Sequence, residues 1–177
     1  ARVARSLGLP KPEVLRRYRA DAPEFDGLIA VGAGPAPQLL DALANVVAHI
    51  GMTSVAHASA GLWVPLANRH GLMTGRFEPA DPATGAQARV RALVFDASGI
   101  ESSAQLDTLY AFFHDALRSL DQSGRIVVLG RPPEACASPR QWTAQRALEG
   151  VTRSLGKEAR RGIAVPKRIA LAGFANL

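Results

Sequence analysis

Gln141-Trp-Thr-Ala-Gln-Arg-Ala-Leu-Glu-Gly-Val-Thr-Arg-Ser-Leu-Gly-Lys-Glu-Ala159 is the stretch of sequence that decides the fold. It predicts a long helix over residues 139–161, because Pro139 suits the first turn of a helix and Gly162 stands where the helix would end. A continuous apolar run, Arg125-Ile-Val-Val-Leu129, comes shortly before it and is typical of a strand buried on both faces. This part of the chain therefore predicts a buried strand, a loop over residues 130–138 and a helix.

The same alternation extends toward the N-terminus. Apolar runs predict strands over residues 28–32, 52–58 and 92–95, and helical spacing predicts helices over residues 38–50 and 103–120. A further strand is expected over residues 162–165. Residues 59–89 contain three prolines and four glycines without a clear period, which indicates loops with at most one poor helix or strand. Alternating strands and helices predict an α/β fold with a doubly wound parallel sheet, a three-layer sandwich of the Rossmann or flavodoxin-like type.

Three segments are expected. Residues 1–25 predict an N-terminal arm whose prolines limit it to one or two helical turns, and in which Arg16, Arg17 and Arg19 form the most compact basic group of the chain. Residues 26–165 predict the α/β domain. Residues 166–177 predict a truncated or irregular tail, since Pro166 interrupts the strand that should continue there. The chain begins at Ala1 and ends without a closing element, so we expect a further domain to follow it.

Composition excludes several classes of function. The net charge is +6 and the isoelectric point is near 10.4, but 18 of the 21 basic residues are scattered arginines, which does not favour a nucleic-acid partner. Cys136 is the single cysteine, so there is no internal disulfide, and the four histidines are too dispersed for a metal-ligand motif. No apolar run approaches the roughly 18 residues of a membrane span, and a cytoplasmic location is the default expectation.

The first turn after a strand is where such folds bind a dinucleotide phosphate, through backbone N–H groups at a helix start. Here it reads Val31-Gly-Ala-Gly-Pro-Ala-Pro37, so Gly32 and Gly34 supply two of the three usual glycines. Pro35 and Pro37 lack the N–H groups that would bind phosphate. The loop has no hydroxyl residue for a flavin phosphate, and Trp63, which could stack on a flavin, is interpreted as a buried or interface aromatic.

Asp96 and Ser98 complete the candidate cofactor-binding residues, together with Gly32 and Gly34. Both follow the strand predicted at residues 92–95, where a polar side chain could face a ligand. The preferred interpretation of Asp96 is an Asx-turn or a helix cap.

Residues 141–159 resemble the active-site helix of the short-chain dehydrogenases/reductases, which opens with Tyr-x-x-x-Lys. The tyrosine and lysine positions fall on Gln141 and Gln145, whose amides cannot transfer a proton near neutral pH. Neither Tyr18 nor Tyr110 is followed four residues later by lysine, so the motif is absent from the whole chain. The resemblance implies the family's fold without its catalytic residues.

Two strands carry the same resemblance. Residues 92–100 are similar to the family strand ending Leu-Val-Asn-Asn-Ala-Gly-Ile, with Phe95 and Asp96 in place of the asparagines. Residues 124–131 are similar to the strand that delivers the catalytic serine, with Gly130 and Arg131 at the serine positions. The resemblance therefore implies that catalytic residues are absent from this chain.

Leu15-Arg-Arg-Tyr-Arg-Ala20, Leu93-Val-Phe-Asp-Ala-Ser-Gly-Ile100 and residues 146–158 together resemble the N-terminal domain of bacterial high-molecular-weight 3-oxoacyl-[acyl-carrier-protein] reductases. In that family a flavodoxin-like, non-catalytic Rossmann-type domain precedes a complete ketoreductase domain. That second domain reduces 3-oxoacyl thioesters with NADH or NADPH. The resemblance implies an accessory domain that holds no cofactor itself, contacts a catalytic domain of the same chain and forms a homo-oligomer, such as a dimer.

Two alternatives stay open. One is a self-standing oxidoreductase that uses an unrecognised proton donor such as Asp96 or His114, and the other is a nucleotide-sensing module without catalysis. Cofactor binding and turnover separate the three hypotheses.

Overall fold

A parallel sheet forms the centre of the computed structural model, which describes residues 20–21, 26–79, 89–158 and 170–171. Six strands lie in the order β3-β2-β1-β4-β5-β6, and every described pair is parallel. The strands are β1 (Leu28–Ala33), β2 (Thr53–Ala56), β3 (Thr74–Arg76), β4 (Val90–Asp96), β5 (Leu120–Gly130) and β6 (Ala170–Leu171). The predicted doubly wound α/β fold is confirmed.

Within the described residues, four α-helices cover the two faces of the sheet: α1 (Leu40–Ile50), α2 (Trp63–Arg69), α3 (Asp107–Ala116) and α4 (Pro139–Glu158). One core lies between the sheet and α1 and α2, and includes Ile29, Val31 and Val47. The second core lies between the sheet and α3 and α4, and includes Leu93 and Phe95. Successive strand residues point to opposite faces, so the continuous apolar strands supply both cores.

Residues 59–79 are more regular than the sequence predicted. At most one poor element was expected, whereas the structure has both α2 and β3 in this segment. The helix is only seven residues long and buries just Trp63 and Ala67, which is too little for a recognisable helical period. β3 has three residues and lies at the edge of the sheet, so it lacks the apolar run of a central strand.

The helix predicted over residues 103–120 is wrong at both ends. A 3₁₀ turn at Ser103–Leu106 precedes α3, a second one at Leu117–Ser119 follows it, and β5 already begins at Leu120. The first turn is closed by a capping box, in which the side chains of Ser102 and Gln105 bond each other's backbone N–H groups. Leu120 packs in the core beside α3 and α4, which ends the helical segment.

Several predictions lie outside the described residues. They include the helical turns of the arm with Arg16, Arg17 and Arg19, and the strand over residues 162–165. Within the tail the structure describes β6, which pairs with Leu129 and Gly130 of β5. No helix in the described ranges has the length and apolar character needed to cross a membrane.

Trp63 fixes α2 to the sheet. Its ring is fully buried, and its indole N–H donates to the buried Ser54 Oγ at 3.1 Å. This confirms the interpretation of Trp63 as a buried aromatic.

Replacing Trp63 with phenylalanine should lower the free energy of unfolding by about 1–3 kcal/mol, because Ser54 loses its partner and the smaller ring leaves space. Trp142→Phe is the matched control: Trp142 is 48% exposed, so its change should stay within about 0.5 kcal/mol. Urea unfolding measures both, and equal effects of the two changes would contradict the packing described.

Candidate functional site

The candidate site lies at the carboxyl edge of the sheet, where the loops after β1 and β4 meet. These strands are neighbours at the centre of the sheet, on either side of the point where the strand order reverses. Open α/β sheets bind their ligands in the crevice at this point, with phosphate at the start of the helix after β1. In this protein the backbone N–H of Gly34 donates to the Asp96 carbonyl at 2.8 Å, so the two loops are joined directly.

The Asp96 carboxylate lies at the start of α1. It is fully buried, and its Oδ2 accepts a hydrogen bond from the Leu39 N–H at 2.7 Å. Its Oδ1 accepts from the Ser98 N–H at 2.9 Å and from the Ser98 hydroxyl at 2.6 Å. The preferred interpretation of Asp96, an Asx-turn or a helix cap, is confirmed: the bond from the Ser98 N–H closes the Asx-turn, and the bond from the Leu39 N–H holds the start of α1. A negative charge at the positive end of α1 is electrostatically favourable, which is also why phosphate binds at such positions.

Ser98 occupies the neighbouring N–H group. Its Oγ accepts from the Gln38 N–H at 2.9 Å while its proton goes to Asp96. The amides of Gln38 and Leu39, the two residues before α1, are thus both bound by side chains that follow β4. Because Pro35 and Pro37 have no N–H, these two amides are among the few donors that the loop could offer to a phosphate.

Close packing leaves little room between the two loops. A Cβ at Gly99 would lie 2.0 Å from the Ala36 carbonyl oxygen, and one at Gly32 would lie 2.4 Å from the Phe112 ring. Gly34 contacts the Ile100 side chain, where a Cβ would lie 3.2 Å away. Gly32 and Gly34 therefore allow protein segments to approach one another. Ala36 itself has a φ of 45°, a left-handed conformation that alanine adopts only at a cost.

Arg131 spans the crevice from the side of β5. Its guanidinium donates to Gln38 Oε1, at the start of α1. Its backbone N–H donates to Gln145 Oε1 at 2.8 Å. Arg131 stands where the similar strand of the short-chain dehydrogenases/reductases has a serine. Here it links the loops after β1 and β5 to α4.

Gln145 joins α4 to the neighbouring loops through hydrogen bonds. Its side chain is 1% exposed, and its Nε2 donates to the carbonyls of Ala97 and Ile100, both at 2.9 Å. Together with the bond from the Arg131 N–H, these contacts hold the loops after β4 and β5 against α4. A lysine could not accept the Arg131 N–H, because its ammonium group only donates.

Gln141 organises the start of α4. Its Oε1 accepts from the Ala137 N–H at 2.7 Å, and its own N–H donates to Ser138 Oγ at 3.2 Å. The side chain is 4% exposed. The two glutamines at the tyrosine and lysine positions therefore both satisfy backbone groups of neighbouring loops.

One cluster was missed by the sequence analysis. His57 follows β2, and its Nδ1 lies 2.9 Å from Ser59 Oγ, which also accepts the Ala33 N–H at 3.2 Å. Its Nε2 lies 3.6 Å from Asp115 Oδ2 on α3, and its ring packs edge-on against Phe112. A separation of 58 residues between His57 and Asp115 leaves no local signal by which the sequence could reveal the pair.

Two further side chains with ionisable groups are His114 and Cys136. His114 is exposed on α3, 3.2 Å from Asp115 Oδ1. Cys136 is half-buried, and burial raises the pKa of its thiol, an effect that the nearby Arg131 opposes and Glu134 reinforces. The thiol is therefore mostly protonated near neutral pH and a weak nucleophile. Across the described residues, no group of three or more His, Cys, Asp or Glu side chains is arranged to hold a metal ion.

Comparison with solved structures shows which fold this is. A protein assigned as a short-chain alcohol dehydrogenase from Sinorhizobium meliloti 1021 superimposes with a TM-score of 0.55 and 19% identity, covering 86% of this chain and 77% of its own. The chain has the Rossmann-like fold of the short-chain dehydrogenases/reductases. A dehydrogenase/reductase from the same organism gives a TM-score of 0.53 at 19% identity, covering 80% and 70% of the two chains.

A third structure of this kind, BdcA in complex with NADPH, gives a TM-score of 0.51 at 20% identity, with 80% and 69% covered. No family model matches the sequence, and no curated protein matches it. At such identities the likeness defines the fold, and the chemistry of this chain has to be argued from its own residues.

Asp96→Ala should lower the free energy of unfolding by about 2–4 kcal/mol, because the Leu39 and Ser98 N–H groups lose their acceptor inside the protein. Asp96→Asn is the graded control: it keeps one acceptor oxygen and should cost about half as much. Urea unfolding measures both. A change below about 0.5 kcal/mol for Asp96→Ala would show that the cap is not needed to hold α1.

Proposed function

We propose that this chain is a non-catalytic accessory domain of a reductase that converts 3-oxoacyl thioesters, on acyl-carrier protein or coenzyme A, to 3-hydroxyacyl thioesters with NADH or NADPH. The observation that carries the proposal is the Asp96 carboxylate bound at the start of α1. It supplies inside the protein the negative charge and the acceptor oxygens that a cofactor phosphate would bring.

The residues present do not fit a dinucleotide. Phosphate would have to displace Asp96 and Ser98 from the Leu39 and Gln38 amides, and it would approach a buried carboxylate of the same charge. The bond between the Arg131 and Gln38 side chains lies across the same loops. We therefore assign the nicotinamide cofactor to the catalytic partner domain.

The same residues argue against ketoreduction by this chain. Carbonyl reduction needs a group that donates a proton to the developing alkoxide within hydrogen-bond reach. Gln141 and Gln145 cannot donate a proton in this way, and Asp96 already binds three hydrogen-bond donors while fully buried. What this scaffold offers a reductase is a rigid body with helix faces for contact.

Exposed aromatic residues on α3 and α4 support a docking role. Tyr110 on α3 is 72% exposed and Trp142 on α4 is 48% exposed, while the opposite sides of both helices fill one core. Large exposed aromatic side chains are frequent anchors of protein interfaces. We propose that the partners are a catalytic ketoreductase domain of the same chain and a second copy of the protein, in the cytoplasm.

Purified residues 1–177 should not oxidise NADH or NADPH in the presence of acetoacetyl-coenzyme A, because Gln141 and Gln145 stand at the proton-transferring positions and Asp96 and Ser98 occupy the amides before α1. Absorbance at 340 nm measures the turnover, with an active short-chain reductase as the positive control. Turnover by this chain would replace the accessory role with a self-standing oxidoreductase, and cofactor binding without turnover would favour the nucleotide-sensing module. The intact mass of the native polypeptide is the companion test: a mass near 18.7 kDa would contradict a catalytic domain on the same chain.

Restoring the two family residues should not create an enzyme. The double substitution Gln141→Tyr with Gln145→Lys should remain inactive, since the Gly130–Arg131 segment has no serine and Asp96 still fills the helix start. It should also unfold at lower urea concentration, because a lysine at position 145 cannot accept the Arg131 N–H, which loses its partner inside the protein. Gln141→Tyr alone separates the two effects. Detectable NADH-dependent turnover by the double variant would mean that the site is closer to a working one than its hydrogen bonds indicate.

A further inference from the structure

A polar pocket of about 350 Å³ opens at the start of α4. Its walls are the 3₁₀ turn after β4 and the segment that leads into α4. The side chains that line it are Glu101, Ser102, Gln105, Ser138, Arg140 and Gln141. The proposed accessory role does not require this pocket.

The Gln141 carboxamide uses its oxygen but not its nitrogen in hydrogen bonds. Because its Oε1 accepts the Ala137 N–H at 2.7 Å, the orientation of the carboxamide is fixed and Nε2 is the other terminal atom. That NH₂ group makes no hydrogen bond to any residue that the structure describes, and Gln141, which is 4% exposed as a residue, lines the pocket. Gln145, one turn further along α4, uses both its oxygen and its nitrogen. The two protons of the Gln141 NH₂ group face the pocket and are available to an acceptor there.

The other neutral side chains of the pocket also use their acceptor oxygens and leave donor groups without a partner. Gln105 Oε1 accepts the N–H groups of Glu101 and Ser102, at 2.7 and 3.2 Å, and the Ser102 hydroxyl accepts a backbone N–H of the capping box. Ser138 Oγ accepts the Gln141 N–H. Each acceptor oxygen is thus engaged by the backbone, whereas the Gln105 NH₂ group and both hydroxyl protons have no partner among the described residues. The pocket is lined by unused donors.

Electrostatics favour a ligand of negative charge. The pocket faces the N-terminal end of a 20-residue helix, which carries a partial positive charge. Arg140 is exposed at the pocket and forms no ion pair within the described parts of the chain, so its five N–H donors are available. Glu101 is the one acidic residue of the lining and is also exposed, where salt weakens its repulsion.

We propose that this pocket binds the oxyanion group, carboxylate or phosphate, of a small molecule. The Gln141 NH₂ group contacts the anion at the floor, Ser102, Ser138 and Gln105 donate from the walls, and Arg140 supplies the positive charge at the rim. The proposal does not depend on the accessory role, because a chain with or without a catalytic partner would keep the same donors.

Titration of the ¹⁵N-labelled chain tests this, with inorganic phosphate in one arm and acetate in the other, against sodium chloride at matched ionic strength. We expect saturable shifts of the Gln141 side-chain amide and the Arg140 backbone amide, with a dissociation constant in about the millimolar range. Saturation by phosphate alone points to a phosphorylated ligand, and saturation by acetate alone points to a carboxylate. Shifts that match the chloride titration in both arms would overturn the proposal.

Two variants locate the binding site. Gln141→Glu keeps the oxygen that accepts the Ala137 N–H but replaces the donor with a negative charge, so it should weaken anion binding at least about tenfold. Arg140→Ala should weaken it about threefold, while Arg153→Ala, which removes an arginine of the same helix that pairs with Glu149, should change it less than about twofold. Equal weakening by Arg140→Ala and Arg153→Ala, or undiminished binding by Gln141→Glu, would show that the anion binds by net charge or elsewhere.

Discussion

The buried carboxylate of Asp96 organises the carboxyl edge of this sheet. It ties the end of β4 to the start of α1 through Leu39, and through Ser98 it also engages Gln38. A buried charge is stable only with such compensation, so the loops after β1 and β4 must keep their close approach. The proline-containing turn, the left-handed Ala36 and the glycines without room for a side chain all agree with this constraint. The fold therefore has Asp96 and Ser98 at the start of α1, where folds of this type usually bind phosphate.

Two glutamines of α4 also hold loops in place by binding their backbone groups. Gln145 binds one N–H and two carbonyl groups that come from segments after β5 and β4, and Gln141 binds the backbone just before the helix. Carboxamides can both donate and accept, so they suit this role better than a phenol and an ammonium group. Gln141 and Gln145 stand where the short-chain dehydrogenases/reductases have their reactive tyrosine and lysine. Here they hold neighbouring loops to α4 through hydrogen bonds. The unused NH₂ group of Gln141 is the exception, and it faces the polar pocket.

The central strands and the long helix were predictable because each carries a strong periodic or continuous apolar pattern: β1, β4 and α4 all lie close to their predicted bounds. α2 and β3 were not, since a seven-residue helix with two buried side chains and a three-residue edge strand leave almost no pattern. At the site, the sequence indicated that Asp96 forms an Asx-turn or a helix cap. It could not reveal that the group capped is α1, or that His57 meets Asp115, because these contacts join distant segments.

We propose that the start of α1, where Asp96 and Ser98 bind the Leu39 and Gln38 amides, is closed to a dinucleotide. The most direct measurement follows the backbone amides of Gln38, Leu39 and Ser98 by NMR while NADPH is added to the ¹⁵N-labelled chain. We expect these three amides to keep their chemical shifts up to a large excess of NADPH. Saturable shifts at Leu39 and Ser98 would contradict it, because they would mean that the cofactor displaces the Asp96 carboxylate from the helix.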